Sequence, residues 1–478
     1  MNNEAKLINI SKKSFFSVVI ILFILIIVAG ILTFIIPSGE YLRDIEGRIL
    51  PDTFVFLSES EGYPVWRWLL APFEVIASSD GIAIIMISLF LVILGGTFTL
   101  MDKTGGIKVI LKRLIAKYRD RKYTLLRVVI LAFMLFGSFF GIFEESVALM
   151  PIMILLSLSL GWDTLVGIGM ALLAAGFGFA SGITNPFSVG IASEIAGINI
   201  LSGVWYRVIV FILMYLLLST FLVKYAKSIE INPKKSPTYE EDQKKVRDFD
   251  LGGTIIYENE NTIFRAYVTM FLVLLVFIVG ISVLEIAFDI SLPTIPFMAL
   301  TFLVGGIIAG YVVTKDLKKT MIKFASGMGS VAPAVLLIMM AASVKFIIVQ
   351  GNIMDTILYY LSNILSNQSP IMGILLIYAM VLIIQFFIGS ASAKALLLMP
   401  LLVPLVALVG YSKELAILAF IFGDGYTNVI FPTNAVLLIG LSMAQVSYSK
   451  WFKWTILLQI MTLILTVFLL IVAYLIGY

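Results

Sequence analysis

From Phe15 to Pro37 the chain runs for 23 residues without a charged side chain. As a helix rising about 1.5 Å per residue, such a run is long enough to cross the roughly 30 Å hydrocarbon core of a bilayer. Comparable runs recur along all 478 residues: 60% are hydrophobic, 13% are charged, and the mean hydropathy is +1.07. A soluble domain does not carry that much apolar surface, so an all-α polytopic membrane protein is expected, in contact with lipid and with no nucleic-acid partner. The first run lacks the small-residue cleavage pattern of a removable leader and reads as a retained span. Cysteine and histidine are absent, which excludes a disulfide framework, a Cys or His metal site and an imidazole proton relay.

Charge sets the orientation. Asp102 to Tyr123 holds eight Lys/Arg, and the start of the chain, the stretch Lys315 to Lys323, and Lys450 with Lys453 are also basic. Positive residues collect on the cytoplasmic side, so a multi-pass protein of the inner (cytoplasmic) membrane with a cytoplasmic N-terminus is expected. Pro37 to Tyr63, richer in acids, and Gln350 to Pro370, which has no Lys or Arg, are placed outside. Residues 227–262 mix both signs with prolines and read as a cytoplasmic linker between a first half, 1–226, and a second half, 263–478.

The halves match at an offset of 249. Ala148 to Trp162 aligns with Leu397 to Tyr411, Thr184 and Asn185 with Thr433 and Asn434, and Gly176 with Gly425. Three landmarks at one spacing indicate an internal repeat. Equivalent loops carry opposite charge bias, so the repeats are expected to be inverted, with an extra span near Pro296 to Val313 supplying the odd crossing. Such a plan recurs in secondary transporters, with the substrate held near the midplane. Arms too short to be full spans imply two re-entrant hairpins, 125–160 with tip Gly141–Ser146 and 371–409 with tip Gly389–Lys394. Glycines and prolines imply two broken helices, 164–198 and 414–446. The expected count is about nine spans plus these two hairpins and two broken helices.

Two tips and two breaks converge on one polar centre, because interrupted helices are tolerated in a membrane only where they line a cavity. The substrate-binding candidates are Glu144, Glu145, Ser146, Thr184, Asn185, Ser390, Ser392, Lys394, Thr433 and Asn434. Asp424, Ser181 and Gly182 are candidates for a coupling ion. Intramembrane charges are costly and by default functional. Each candidate also has a plainer structural reading. Glu144 and Glu145 can pair with Lys394 and Lys345, Lys345 can snorkel to the interface, Asp424 can face outward, and the Thr and Asn residues can satisfy helix ends.

FEES followed by a proline-bearing arm, then SGITNPFSVGIA, PTNAVLLIGL and SYSKWFKW, resemble the C4-dicarboxylate anaerobic carrier family, in particular its branch often described as basic amino acid antiporters. The resemblance spans nearly the whole chain. It implies an ion-coupled transporter of inverted repeats with re-entrant hairpins, working as a homodimer by an elevator motion. No cofactor is implied beyond Na+ or H+ as coupling ion. Two acids at a tip suit a cationic cargo better than a dicarboxylate, which they would repel. The expected function is secondary active transport of small carboxylate-bearing metabolites, foremost antiport of basic amino acids. The alternatives are a proton- or sodium-coupled C4-dicarboxylate carrier and, with little support, an intramembrane enzyme. No zincin motif or GxGxxG turn supports the enzyme.

Overall fold

Apolar segments in a bilayer have no water to hydrogen-bond, so they close their backbone groups on themselves as helices. The computed structural model describes residues 12–45, 49–50, 52–57, 62–118, 121–248, 259–288, 294–329, 332–365, 368–409 and 411–478. The basic start of the chain and part of the expected linker lie outside the described residues. The first half comprises α1 (Lys12–Ile35), α2 (Gly81–Lys103), α3 (Gly106–Tyr118), α4 (Lys122–Phe140), α5 (Ser146–Ser159), α6 (Thr164–Ala180), α7 (Ile191–Ala196) and α8 (Val204–Ile231). After the linker helix α9 (Tyr239–Asp248) come α10 (Glu260–Phe288), α11 (Thr294–Thr314), α12 (Leu317–Met328), α13 (Ala332–Gln350) and α14 (Met354–Leu365). The second half ends with α15 (Pro370–Phe387), α16 (Ala391–Val409), α17 (Lys413–Gly425), α18 (Ala435–Met443) and α19 (Tyr448–Leu475).

Among the described residues seven helices are long and apolar enough to cross a bilayer, or eight if α13 and α14, bent by 74°, count as one. Arms α4 and α15 qualify by length and composition. The expected nine, counted apart from the hairpins and broken helices, included α1, whose described apolar stretch is Val19–Ile35.

The offset of 249 runs through the whole architecture. It carries α1 onto α10, α2 onto α13, α3 onto α14, α4 onto α15, α5 onto α16, α6 onto α17, α7 onto the end of α18 and α8 onto α19, leaving the linker helix α9 and helices α11 and α12 without counterparts. The crossing of the broken helices shows how the units meet. A Cβ on Gly425 would lie 2.0 Å from Ala180 Cα, and one on Gly176 would lie 2.5 Å from Val429 Cγ1. Gly176 and Gly425 are 249 apart, as are Ala180 and Val429, so one close contact is made twice with the halves exchanged. That reciprocity is the signature of a two-fold relation. It also explains both glycines, since any side chain would push the helices apart.

The hairpins enter from opposite ends. At the base of α4 and α5, Tyr123 donates to Glu230 at 2.6 Å, Lys122 pairs with Glu230 at 2.8 Å, and Trp162 Nε1 also donates to Glu230. At the base of α15 and α16, Tyr411 donates to the Pro370 carbonyl and Ser412 to the Tyr478 carbonyl, while Tyr478 donates to the Gly203 carbonyl at 3.0 Å. Gly203 precedes the first turn of α8 and Glu230 lies in its last turn. The two bases are therefore separated by the length of α8, roughly 42 Å for 28 residues. A cysteine replacing Lys117 on α3 should accordingly react with an impermeant thiol reagent from the cytoplasm alone, and one replacing Tyr360 on α14 from outside alone. Labelling of both from one face would refute the opposed arrangement.

The described part of the linker packs against the helices rather than standing apart as a polar spacer. Residues 227–231 still belong to α8, and Ser236, Thr238 and Asp242 are buried. Asp163 caps α6 by accepting from Val166 N at 2.9 Å and also accepts from Tyr225 at 2.5 Å and Ser236 at 2.7 Å, while burial pushes its carboxyl up to about 6. Asp242 accepts from Thr164 N at 2.9 Å, and Lys245 donates to the Ala444 carbonyl at 2.7 Å. Carboxylates thus sit at the start of α6 and an ammonium at the end of α18, each complementing the helix dipole. Lys450 in the SYSKWFKW motif ties α19 to the same helix through Glu241 at 2.6 Å.

Candidate functional site

Both tips and the second break line a cavity of about 480 Å³, within the usual size of small-molecule sites. The first tip contributes Glu144 and Glu145, the second Ser390 and Ser392, and the second break Asn428 and Asn434. Ser79 and Met86 at the start of α2, with Pro296 on α11, form the facing wall. The tip turns because Gly141 adopts a left-handed φ of +68° and ends α4; its missing side chain lets it sit against Asn185 and Phe187. Glu144 is exposed to the cavity and Glu145 half-buried.

The first break is satisfied by the hairpin. Ser138 donates to the Ser181 carbonyl at 2.6 Å, Ile183 N donates to the Ser138 carbonyl at 2.9 Å, and Thr184 Oγ1 donates to the Phe139 carbonyl at 3.2 Å. Asn185 accepts from Phe187 N at 2.9 Å, capping the next turn. Ser146 donates to the Phe143 carbonyl at 2.6 Å, and Ser181 to the Phe177 carbonyl at 2.8 Å. Ser146, Ser181, Gly182, Thr184 and Asn185 are not among the residues lining the cavity, nor is Thr433. Of these, Thr184 ties the break to the end of α4, whereas Ser146 and Ser181 bond to carbonyls of their own elements.

The second break is held differently. Trp451 donates to the Val429 carbonyl at 2.7 Å and Tyr448 to the Ile430 carbonyl at 2.6 Å, which accounts for two residues of the late motif. Asn434 caps α18 by accepting from Leu437 N at 3.1 Å. Its amide donates to Asn428 Oδ1 at 2.7 Å, which also accepts from Gln385 Nε2 at 2.6 Å. Gln385 Oε1 accepts from Lys394, and Lys394 pairs with Asp424 at 2.7 Å, both side chains being fully buried. A chain of polar groups therefore runs from the cavity wall at Asn434 to a buried ion pair behind it.

Two pairings from the sequence are corrected here. Lys394 is bound to Asp424 and to the Ile388 carbonyl at 2.9 Å, and not to Glu145. Lys345 does not meet a glutamate of the tip: it holds both oxygens of Asp80, at 2.9 and 2.7 Å. Asp424 lies outside the cavity lining, its charge matched by Lys394. Gln385 and Asn428 were not singled out from the sequence, although a lone amide in the apolar run of α15 is a visible signal.

The resulting electrostatics are one-sided. Of the described residues lining the cavity, Glu144 and Glu145 are the charged ones; no Lys or Arg is among them. The nearest cation of the second tip, Lys394, is neutralised behind the wall. Hydroxyls, amides and the starts of α16 and α18 supply the other polar groups among apolar side chains such as Ile82, Phe143, Phe179 and Phe187, and a helix start favours an anionic group.

A family model described as C4-dicarboxylate anaerobic carrier matches residues 15–475. A protein of Haemophilus influenzae without an assigned function is 30% identical over 372 residues, covering 77% of this chain and 71% of that one. YfcC of Escherichia coli K12, named provisionally as a basic amino acid antiporter, is 27% identical over 480 residues, covering 91% of each. The crystal structure of the YdaH transporter of Alcanivorax borkumensis aligns with a TM-score of 0.45 at 18% identity, over 96% of this chain and 98% of that one.

Proposed function

Since the chain belongs to the C4-dicarboxylate anaerobic carrier family, and so is a multi-pass secondary transporter and not an enzyme, we propose that its cargo is a basic amino acid, exchanged across the inner membrane. The observation that carries this reading is the charge of the cavity: two carboxylates and no cation among its described lining. A dicarboxylate would bring two more negative charges beside Glu144 and Glu145, whereas an ammonium or guanidinium neutralises them. The side-chain cation of the cargo is placed at the first tip. Its α-carboxylate is placed at the second tip and break, where Ser390, Ser392, Asn434 and the starts of α16 and α18 offer donors. The tips and breaks would move together against the wall built by α2 and α11, in an elevator cycle of a homodimer with its N-terminus in the cytoplasm. A coupling cation, H+ or Na+, has its natural place at the same two glutamates when the cargo is absent.

Thermal-shift titration of the purified protein tests the cargo. Arginine, lysine or ornithine at a hundred times Kd should stabilise the protein by about 2.7 kcal/mol, with succinate and fumarate inert. Stabilisation by the dicarboxylates alone would replace this reading with the carrier of C4-dicarboxylates.

A further inference from the structure

Around the second break, three side-chain amides are fixed in direction by groups that cannot exchange donor for acceptor. The Lys394 ammonium has only donors, so the Gln385 oxygen faces it and the Gln385 nitrogen is left to donate. The Asp424 backbone carbonyl can only accept, so Asn428 turns its nitrogen there, at 2.7 Å. The Leu437 N–H can only donate, so Asn434 offers it an oxygen, at 3.1 Å. The Asn428 oxygen then receives Gln385 Nε2 at 2.6 Å and Asn434 Nδ2 at 2.7 Å, which fills both of its lone pairs. What the buried Asn428 side chain has left is one amide hydrogen, and the Asn434 nitrogen keeps another.

Asn428 lines the transport cavity, and so does Phe179, its counterpart 249 residues earlier. One half therefore faces the cargo with an aromatic ring where the other presents an amide. We propose that Asn428 is the residue that recognises the carboxylate of the cargo, held by Gln385 and Lys394 so that it donates and does not accept. The inference rests on the reading of the cargo as a basic amino acid and adds what the site excludes. Charge alone favours an amine without a carboxylate, because Glu144 and Glu145 attract each cation and repel the anion. A wall fixed as a donor reverses that preference. Its N–H makes a charge-assisted hydrogen bond to a carboxylate, whereas an ammonium in the same place finds no free acceptor on Asn428. The site thus takes amino acids and turns away the corresponding amines.

The test compares arginine with agmatine, its decarboxylated counterpart, by thermal-shift titration of the full chain in detergent. The wild type should bind arginine about tenfold more tightly or better, the contribution of one charge-assisted hydrogen bond. Asn428→Asp presents an acceptor in place of the donor and should bring the arginine-to-agmatine affinity ratio to one or below. Asn428→Ser avoids a buried charge: a serine hydroxyl gives its single hydrogen to the carbonyl four residues back, here that of Asp424, and has none left for the cargo. In that variant arginine should weaken by about tenfold while agmatine is little changed. Agmatine binding as tightly as arginine in the wild type, or an unchanged ratio in the variants, would overturn the inference. Should succinate and not arginine stabilise the wild type, the basic amino acid reading fails on its own, and Asn428 is then judged on succinate. Both variants must weaken succinate by about tenfold, and an unchanged succinate affinity would overturn the inference as well.

Discussion

Asp424→Asn is expected to destabilise the protein more than any other single change behind the cavity. Lys394 and Asp424 are both fully buried, and their contact at 2.7 Å is an ion pair whose charges have no solvent to turn to. Once the carboxylate is gone, the ammonium keeps the Gln385 amide oxygen and the Ile388 carbonyl but no counter-charge. Removing one partner of a buried pair costs about 3 to 5 kcal/mol, whereas replacing both by apolar groups of similar size can be neutral. The thermal midpoint in detergent should therefore fall sharply in Asp424→Asn and recover most of the way in the double variant Asp424→Leu, Lys394→Met. An unchanged midpoint in the single variant would show that the pair does not carry its charges. Recovery of stability without recovery of uptake would assign the pair a part in the transport cycle beyond support.

Much of the fold is legible in the sequence because membrane helices obey a single rule. A charge-free run must span, and a run interrupted by Gly and Pro must be sheltered by protein. The tips at Gly141 and Gly389 and the breaks before Asn185 and Asn434 follow from this, as does the 249-residue offset that relates them. The side-chain partners do not follow. In the alignment Lys394 stands at the position of Glu145, which suggests a pairing between tips, yet the hairpin turns Lys394 inward to Asp424 on α17. The reason is local asymmetry: the first-half positions equivalent to Gln385, Asn428 and Asp424 are Phe136, Phe179 and Ala175. One repeat buries a polar network where the other places apolar side chains, and an alignment that stresses likeness conceals this. The linker shows the opposite failure. Its mixed charges resemble solvated spacer sequence, but Asp242 and Lys245 complement helix termini that lie far away in the chain.

The claim that the cavity selects cations rests most heavily on Glu144, which is exposed to it. Glu144→Gln removes the charge at nearly constant shape. A charge-assisted hydrogen bond is worth roughly 1.5 to 3 kcal/mol, so the affinity for a basic cargo should fall by about ten- to a hundredfold while a neutral amino acid of similar size is little affected. Stability should change little, because an exposed side chain loses no buried partner. The most direct measurement is counterflow: sealed proteoliposomes loaded with unlabelled arginine are diluted into a trace of labelled arginine. Wild-type protein is predicted to accumulate the label transiently, and Glu144→Gln to require about ten- to a hundredfold more arginine for the same rate. Counterflow of labelled succinate but not of arginine in the wild type, or identical arginine counterflow in the two proteins, would contradict the account.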